Sequence, residues 1–305
     1  MGLGMIIVSA MAGPSEVRQP AVAGTFYPDD PTQCRALAKA YTSASNPEES
    51  TRRWLGGVVP HAGWLCSGEI AGLTIAAIAR AGPAPQVVVV FGAIHTPIPT
   101  RTAVLDSYSS WNLPGDACDV QSELRDRLGV WRDLFSVDDR FHRREHAIEV
   151  ELPLIRSVWP ASMILPIEVP PTDRATEIGR QTALAVVAAN RSAVFLASSD
   201  LTHYGPAYGF APAGVGLQGL AWAKQNDSSL IERILKMQDE SIVTDAQANA
   251  NACGPGAIAA MLAACREFGA TDARLLRHAN SYETLAGVAP QSPDNAVGYA
   301  SIVIG

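Results

Sequence analysis

The chain of 305 residues has few charged side chains, which make up 17% of it, and its formal net charge is -7. It contains no basic stripe, which argues against nucleic acid or an anionic membrane surface as a partner. No apolar run approaches the roughly 18 residues of a membrane-spanning helix. Internal repeats and low-complexity tracts are also missing. Hydrophobic residues make up 48%, which is typical of a compact globular protein.

Cysteine is scarce and unpaired in the sequence. There are five cysteines and no CxxC spacing. The odd number argues against a disulfide scaffold and favours a reducing, cytoplasmic location. The first residues resemble a secretory signal only weakly, because a basic start is missing and the apolar part is short. We expect residues 1–16 to form a flexible tail and residues 17–305 to form a single α/β domain.

Apolar runs alternate with helical patterns along the chain. The run "PQVVVVFGAIH" is the clearest strand, because four consecutive valines indicate burial on both faces, as in a parallel sheet. The stretches "WLGGVVPHAGW", "SMILPIEVP" and "SAVFLASSD" indicate further buried strands. Helical patterns separate these runs. The sequence therefore predicts an α/β fold, with a mostly parallel or mixed central sheet and helices on both faces.

Local signals predict where several helices begin. Ser67 can cap the helix that follows the first buried strand. In "REHAIEVELPLIRSVWP", Pro153 should either kink a helix or occupy its first turn. Two further helices are expected near 226–239 and 243–250.

Three of the six histidines follow predicted strands, namely His61, His95 and His203. In open α/β sheets, ligands bind outside the carboxyl ends of the strands. We therefore expect the three imidazoles to meet in one crevice. They would act there as three metal ligands, or as two ligands and a proton-transfer group. The alternative is an ordinary structural role, in which each ring bonds a backbone carbonyl at a strand-to-loop corner.

Two further residues carry candidate chemistry beside these histidines. In "SSDLTHYG", Asp200 lies three positions before His203 and can orient its ring if the turn is helical. An oriented histidine can act as a general acid or base. Cys253 starts a helix in "NACGPGAIAAML", and a helix N-terminus stabilises the thiolate that acts as nucleophile or metal ligand. The alternative for Cys253 is a buried thiol at a tight turn.

The stretch "REHAIEVELP" adds His146 and Glu149, which share a helical face at i, i+3. Such a pair resembles half of a metal site. A role in supporting the metal ligands from behind, or a helix-end hydrogen bond, is an equally good interpretation. His142 and His278 have no companions in the sequence and are interpreted as structural or exposed.

Six motifs carry a family resemblance, in the order "PAVAGTFYP", "VVPHAGWLCSG", "FGAIHTP", "REHAIEVELPL", "SSDLTHYG" and "CGPGAI". Over residues 17–305 the chain resembles the MEMO family, called AmmeMemoRadiSam system protein B in prokaryotes. The resemblance implies a fold related to the class III extradiol ring-cleaving dioxygenases, with a non-haem-iron-type pocket. It also implies that the metal ligands are His61, His95 and Cys253. The acid/base residue would be His203, with Asp200 beside it.

The chain departs from these patterns at two positions. The dioxygenases have a carboxylate as third ligand, whereas the matching residue here is Cys253. Thiolate is softer and changes the preference among copper(I), zinc and iron, so ring cleavage does not transfer with the resemblance. Eukaryotic members tend to have two adjacent histidines where this chain has Thr96 after His95.

The resemblance leaves three functions open. The first is an oxidoreductase that depends on iron or copper. The second is a non-catalytic metal- or peptide-binding module, because animal members look like adaptors that bind phosphotyrosine peptides and are reported to bind copper or iron. The third is a zinc hydrolase with His203 as base. Prokaryotic members occur with a radical SAM protein and an AMMECR1-type protein, which are the predicted pathway partners beside a small-molecule substrate or peptide.

Overall fold

A computed structural model describes residues 16–43, 52–289 and 292–305. Its strands are β1 (Val17–Arg18), β2 (Gly56–Val59), β3 (Val87–Gly92), β4 (Ala103–Leu105), β5 (Ser110–Leu113), β6 (Asp116–Asp119), β7 (Phe135–Val137), β8 (Met163–Glu168), β9 (Ala193–Ser198), β10 (His203–Tyr204), β11 (Ala273–Asn280) and β12 (Ala296–Ile304). Most of them form one mixed sheet in the order β10-β12-β2-β9-β3-β8-β4-β7, with β11 also beside β12. The predicted α/β class with a central mixed sheet is confirmed.

The centre of the sheet is parallel and buried on both faces. Strands β2, β9, β3 and β8 run parallel to one another, whereas β12 and β4 pair antiparallel on either side. In β3, Val88 and Val90 pack into one apolar core, while Val87, Val89 and Phe91 pack into the other. This alternation follows from the two-residue period of a strand. It explains why an uninterrupted valine run stands in the middle of the sheet.

Helices cover both faces of this sheet. They are α1 (Pro31–Ser43), α2 (Trp64–Arg80), α3 (Ser122–Leu128), α4 (Asp139–His142), α5 (Leu152–Val158), α6 (Ala175–Ala188), α7 (Gly216–Leu235), α8 (Asp239–Asn249), α9 (Pro255–Glu267) and α10 (Ser281–Thr284). On one face α2 packs with α1 and α5, and on the other α9 packs with α6 and α8. Across the described ranges, no helix combines the length and the apolarity needed to span a bilayer.

Several predicted helix boundaries were wrong. Helix α2 begins at Trp64, so Ser67 lies inside it and its hydroxyl donates to the Ala62 carbonyl (3.0 Å) instead of capping the helix. Helix α7 begins at Gly216, well before residue 226. Pro153 does lie in the first turn of α5, where a missing N–H costs nothing.

A small second sheet, in the order β1-β5-β6, was missed because its strands are short and lie in a polar stretch. Residues 1–15 of the predicted tail lie outside the described residues. The Glu16 carbonyl accepts a hydrogen bond from the Ser109 N–H (3.1 Å), so the last residue of that tail pairs with the folded chain. The division into a tail and one domain stays a prediction.

Candidate metal centre

The candidate site lies at the carboxyl edge of three adjacent parallel strands. Strand β9 lies between β2 and β3, and all three strands end at the same edge. His61 follows β2, His95 follows β3, and the segment 199–203 follows β9. The shared edge is where a doubly covered α/β sheet places its ligand crevice.

The structure brings three of the predicted residues together. The ligand atoms of His61, His95 and Cys253 all lie within 4.8 Å of one another. The Cys253 Sγ is 3.2 Å from His61 Nε2, and the two imidazole centroids are 5.1 Å apart. Nitrogen and sulfur atoms that bind one ion at about 2.0 to 2.3 Å lie roughly 3 to 4 Å apart. A small adjustment would therefore let the three atoms share an ion.

A hydrogen bond to Ser198 determines the tautomer of His61. The Ser198 hydroxyl donates to the Ala147 carbonyl (2.5 Å), so its oxygen must accept from His61 Nδ1–H (2.9 Å). This leaves the Nε2 lone pair directed towards Cys253. Burial, and then the neighbouring His95, lower the pKa of His61 well below its ordinary value. The ring is therefore neutral, as a metal ligand must be.

His95 is oriented by a carboxylate that we did not single out from the sequence. The Glu145 Oε1 lies 2.9 Å from His95 Nδ1, and its Oε2 accepts from the His95 backbone N–H (2.7 Å). Burial raises the pKa of Glu145, but hydrogen bonds, led by the one from His95, outweigh it and lower the pKa to about 2. The carboxylate thus holds Nδ1–H and leaves Nε2 for a ligand, the arrangement often found behind metal-binding histidines.

Cys253 is joined to the end of β9 by its backbone and its sulfur. Its N–H donates to the Asp200 carbonyl (3.2 Å), and its Sγ accepts from the Asp200 N–H (3.2 Å). Burial, and then the charge of Asp200, raise the pKa of the Cys253 thiol. The sequence had indicated a thiolate stabilised by the start of α9, and burial outweighs that effect. A bound cation reverses this balance, because a coordinating thiol loses its proton.

The helical turn through which Asp200 could orient His203 does not form, although the two side chains lie beside each other, and their catalytic pairing stays a prediction. His203 lies in the extended strand β10, and Asp200 Oδ2 is 4.0 Å from its Nε2, too far for a hydrogen bond. Asp200 instead accepts from the His61 backbone N–H (2.8 Å). Burial raises the pKa of Asp200 to about 7. The His203 Nε2 is buried and has no hydrogen-bond partner among the described residues.

Asp227 holds the segment that carries His203. Its Oδ1 accepts from the Thr202 N–H (2.9 Å), and its Oδ2 lies 3.1 Å from His278 Nε2. His278 therefore has a partner that the sequence did not reveal. The Gly298 N–H donates to the Thr202 carbonyl (3.0 Å), and a Cβ at position 298 would lie only 2.1 Å from Asp227 Oδ2. The close approach of Asp227 to β12 thus requires a glycine.

His146 lies beside the candidate centre. Its ring stacks on that of His95 with centroids 4.7 Å apart, and its Nδ1 is 3.3 Å from Glu145 Oε1. His95, Glu145 and His146 also form a group whose ligand atoms lie within 4.8 Å of one another. His146 is therefore placed to support the His95 ring. Whether it has that role stays a prediction.

The Glu149 carboxylate makes its hydrogen bonds to residues near β1, and its predicted pairing with His146 on one helical face stays a prediction. The Val150 N–H donates to the His146 carbonyl (3.1 Å), and a short 3-10 helix follows at Glu149–Glu151. The Glu149 carboxylate accepts from the Ala21 N–H (2.8 Å) and the Tyr27 hydroxyl (2.8 Å) and pairs with Arg18 (2.7 Å). It anchors the residues after β1.

His142 is structural, as expected. The ring is fully buried, with Nε2 3.0 Å from the Val104 carbonyl and Nδ1 3.1 Å from Glu168 Oε1. Burial lowers the pKa of His142 to about 4 and raises that of Glu168 well above its ordinary value. The His142 ring is therefore neutral at physiological pH.

Fold and geometry together define a mixed α/β protein with a candidate His-His-Cys metal centre at the edge of its parallel strands. Residues 18–303 match the family model described as Memo-like protein. A MEMO1 family protein of Thermococcus onnurineus is 34% identical over 94% of this chain and 99% of its own length. One from Methanosarcina barkeri is 35% identical over 94% of this chain and 100% of its own length. The chain belongs to the MEMO family, as the six motifs predicted.

Proposed function

We propose that this chain binds a transition metal through His61, His95 and Cys253 and is an oxidoreductase that depends on iron or copper. The observation that supports it is the grouping of these three ligand atoms within 4.8 Å. Both imidazoles are bonded through Nδ1, which leaves each Nε2 free to bind an ion. Imidazole suits iron, copper and zinc, and thiolate favours the softer ions.

The donor set fits a catalytic ion better than a closed structural one. Three protein ligands leave at least one coordination position open for a substrate or for oxygen. Iron or copper held there would supply one-electron chemistry at that position. His95 is 35% exposed at its side chain, so solvent and small molecules have access to this side of the centre.

His203 is proposed to hold or accept a substrate proton. Its Nε2 is buried without a partner among the described residues, although the side chain is 37% exposed. An imidazole nitrogen that lacks an internal partner is available to a bound molecule. Tyr208 packs edge-on against the ring, with centroids 5.1 Å apart, and limits its movement.

The test is metal analysis of protein purified without chelator. We expect the wild type to contain iron or copper and Cys253→Ala to lose it. The matched control is Cys66→Ala, which removes another half-buried free thiol. Full metal content in both Cys253→Ala and His61→Ala would overturn the ligand assignment.

Turnover assays separate the competing functions. Oxygen uptake with a reductant, lost in His203→Ala while the metal is kept, would support the oxidoreductase. Loss of metal in His203→Ala would make it a ligand. Zinc with hydrolysis of a model ester would favour the zinc hydrolase, which the cysteine ligand also suits. Peptide binding without turnover would favour the non-catalytic module.

Partners and location stay proposals. We propose a small-molecule or peptide substrate for the open side of the centre, and a pathway shared with a radical SAM protein and an AMMECR1-type protein. We also propose a cytoplasmic location, which the five free cysteines favour because thiols stay reduced there.

A further inference from the structure

Arg18 is a buried arginine that makes three of its hydrogen bonds to the loop that carries Glu145. The residue is 2% exposed. Its Nε donates to the His142 carbonyl (2.8 Å) and its Nη2 to the Glu145 carbonyl (2.7 Å). Its Nη1 donates to Glu149 Oε2 (2.7 Å). One guanidinium therefore binds the loop 142–149 at its start, its middle and its end.

The guanidinium is itself held in one plane. The register of β1 and β5 pairs Arg18 with Trp111, and the guanidinium carbon lies 4.0 Å from the centroid of that ring. The Trp111 indole N–H donates to Asp106 Oδ2 (2.6 Å), which fixes the ring. A planar cation on an aromatic face keeps its fork of N–H donors in a fixed direction.

These contacts leave the Glu145 carboxylate free of Arg18, so that it binds His95 and the N–H groups of His146 and Ala147. Arg18 binds Glu145 only through its main-chain carbonyl, and Glu149 balances the arginine charge. The Glu145 carboxylate is therefore not drawn into an ion pair with Arg18. Both of its oxygens accept from His95, one from Nδ1 and one from the backbone N–H.

We propose that Arg18 is a positioning residue for the candidate metal centre. It holds the loop 142–149 so that Glu145 keeps His95 in the tautomer with the proton on Nδ1 and the lone pair on Nε2. The relevance to metal binding rests on the proposed function. The tautomer of His95, however, is a property of the metal-free chain and can be measured without any metal.

Lysine cannot replace this arginine. A guanidinium offers five N–H donors in a planar fork, whereas an ammonium is a compact point charge. With lysine at position 18, some of the three acceptors would be left unpaired in a buried place, which is unfavourable enough to move the loop. A shift of about 1 Å at Glu145 would take the His95 contact outside hydrogen-bond range.

The experiment measures the ring nitrogen chemical shifts of His95 by ¹⁵N NMR in the metal-free protein. The test variant is Arg18→Lys. The matched control is Arg125→Lys, because the Arg125 guanidinium also donates to a backbone carbonyl, that of Tyr108 (2.7 Å), and lies near Asp106. We expect wild type and control to show protonated Nδ1 and unprotonated Nε2. Arg18→Lys should show a mixture of tautomers.

Metal affinity is then measured by competition between the protein and a chelator for cobalt(II). Loss of a group that supports a ligand typically weakens binding about 10- to 100-fold. We expect a loss of roughly 10-fold in Arg18→Lys and no change in the control. The sulfur-to-cobalt absorption band of the cobalt-bound form should be the same in Arg18→Lys as in the wild type, because Cys253 bonds Asp200 and not this loop.

The outcomes distinguish the two proposals. Unchanged His95 shifts in folded Arg18→Lys would overturn the positioning role, whatever the metal result. Altered shifts with no metal bound by any variant would support the positioning role and contradict the proposed function. If Arg18→Lys does not fold, Arg18→Met combined with Glu149→Gln removes both buried charges together and leaves the same prediction for His95.

Discussion

The two histidines of the candidate centre present the same nitrogen by different means. His61 is fully buried, and its Nδ1–H bonds the neutral hydroxyl of Ser198. His95 is 35% exposed at its side chain, and its Nδ1–H bonds the carboxylate of Glu145. We call His61 with its bond to Ser198 the His61 arm, and His95 with its bond to Glu145 the His95 arm. Burial lowers the pKa of His61, whereas Glu145 outweighs burial and raises that of His95.

The difference shows that burial and charge are alternative ways to prepare a ligand. In the His61 arm, burial away from water keeps the ring neutral. A neutral ring needs only a hydroxyl, that of Ser198, to select its tautomer. The His95 arm is open to solvent and needs a charged acceptor to hold its ring. The His95 arm should therefore respond more strongly to changes in its partner.

The largest expected effect is one that both arms share. His61→Ala and His95→Ala should each weaken cobalt(II) binding by more than about 100-fold, since loss of a ligand exceeds the usual cost of losing its support. Competition with a chelator measures this. His278→Gln is the control, because it keeps a donor for Asp227 outside the centre. Loss in only one variant would show that the arms do not share an ion.

The next effect concerns pH and is tested at the carboxylate of the His95 arm. The pKa of Glu145 falls from an ordinary 4.5 to about 2 in the folded chain. The unfolded chain therefore takes up this proton first. The stability due to Glu145 is complete above about pH 4.5 and is lost as pH falls towards about 2.

Denaturant unfolding at about pH 6 and about pH 2.5 tests this. The wild type should lose up to about 3 kcal/mol more of its free energy of unfolding than Glu145→Gln over that range. If the wild type and Glu145→Gln lose the same free energy of unfolding between the two pH values, the ionised Glu145 carboxylate does not stabilise the fold. Ser198→Ala, from the other arm, should keep the wild-type pH dependence.

Replacing the charged partner should weaken metal binding moderately. Glu145→Gln keeps an oxygen that can accept from His95 but removes the charge. We expect cobalt(II) affinity to fall about 10- to 100-fold, in line with other groups that support metal-binding histidines. Glu151→Gln alters another buried carboxyl nearby in sequence and serves as the control. Equal losses in both variants would argue against a specific role for Glu145.

The smallest effect should come from the neutral partner. Ser198→Ala removes the bond to the Ala147 carbonyl and the one to His61, and because the latter contributes about 1 kcal/mol, cobalt(II) affinity should fall roughly 3- to 10-fold. Ser162→Ala is the control, because it removes another buried hydroxyl, which donates to the Pro85 carbonyl (2.5 Å) and not to a proposed ligand. A loss as large as that of Glu145→Gln would remove the difference between the arms.

Sequence reasoning located the site because the relevant strands are uninterrupted apolar runs. The four valines of β3 and the run before Ser198 could hardly be anything but central strands, and parallel strands end at one edge. This explains how His61 and His95 could be placed together from sequence. The family motifs added Cys253, which no periodicity connects to the strands.

The features that were missed depend on contacts between distant parts of the chain. His203 is extended because β10 pairs with β12, and nothing near position 203 indicates that pairing. The direction of the Glu145 side chain is determined by the loop that Arg18 holds, so a charged residue in a polar stretch gave no sign of its role. The strands β5 and β6 have no apolar run, although Trp111 on β5 is fully buried.

The absence of a side chain at Gly298 has a consequence for the segment that carries His203. Gly298 lies in β12, where the Asp227 carboxylate packs directly against its backbone. A Cβ at this position would lie 2.1 Å from Asp227 Oδ2, so even one methyl group would collide. A side chain at this position would displace Asp227, which accepts a hydrogen bond from the Thr202 N–H next to His203. A substitution at Gly298 is therefore expected to affect the proposed proton-transfer residue His203 through the neighbouring Thr202.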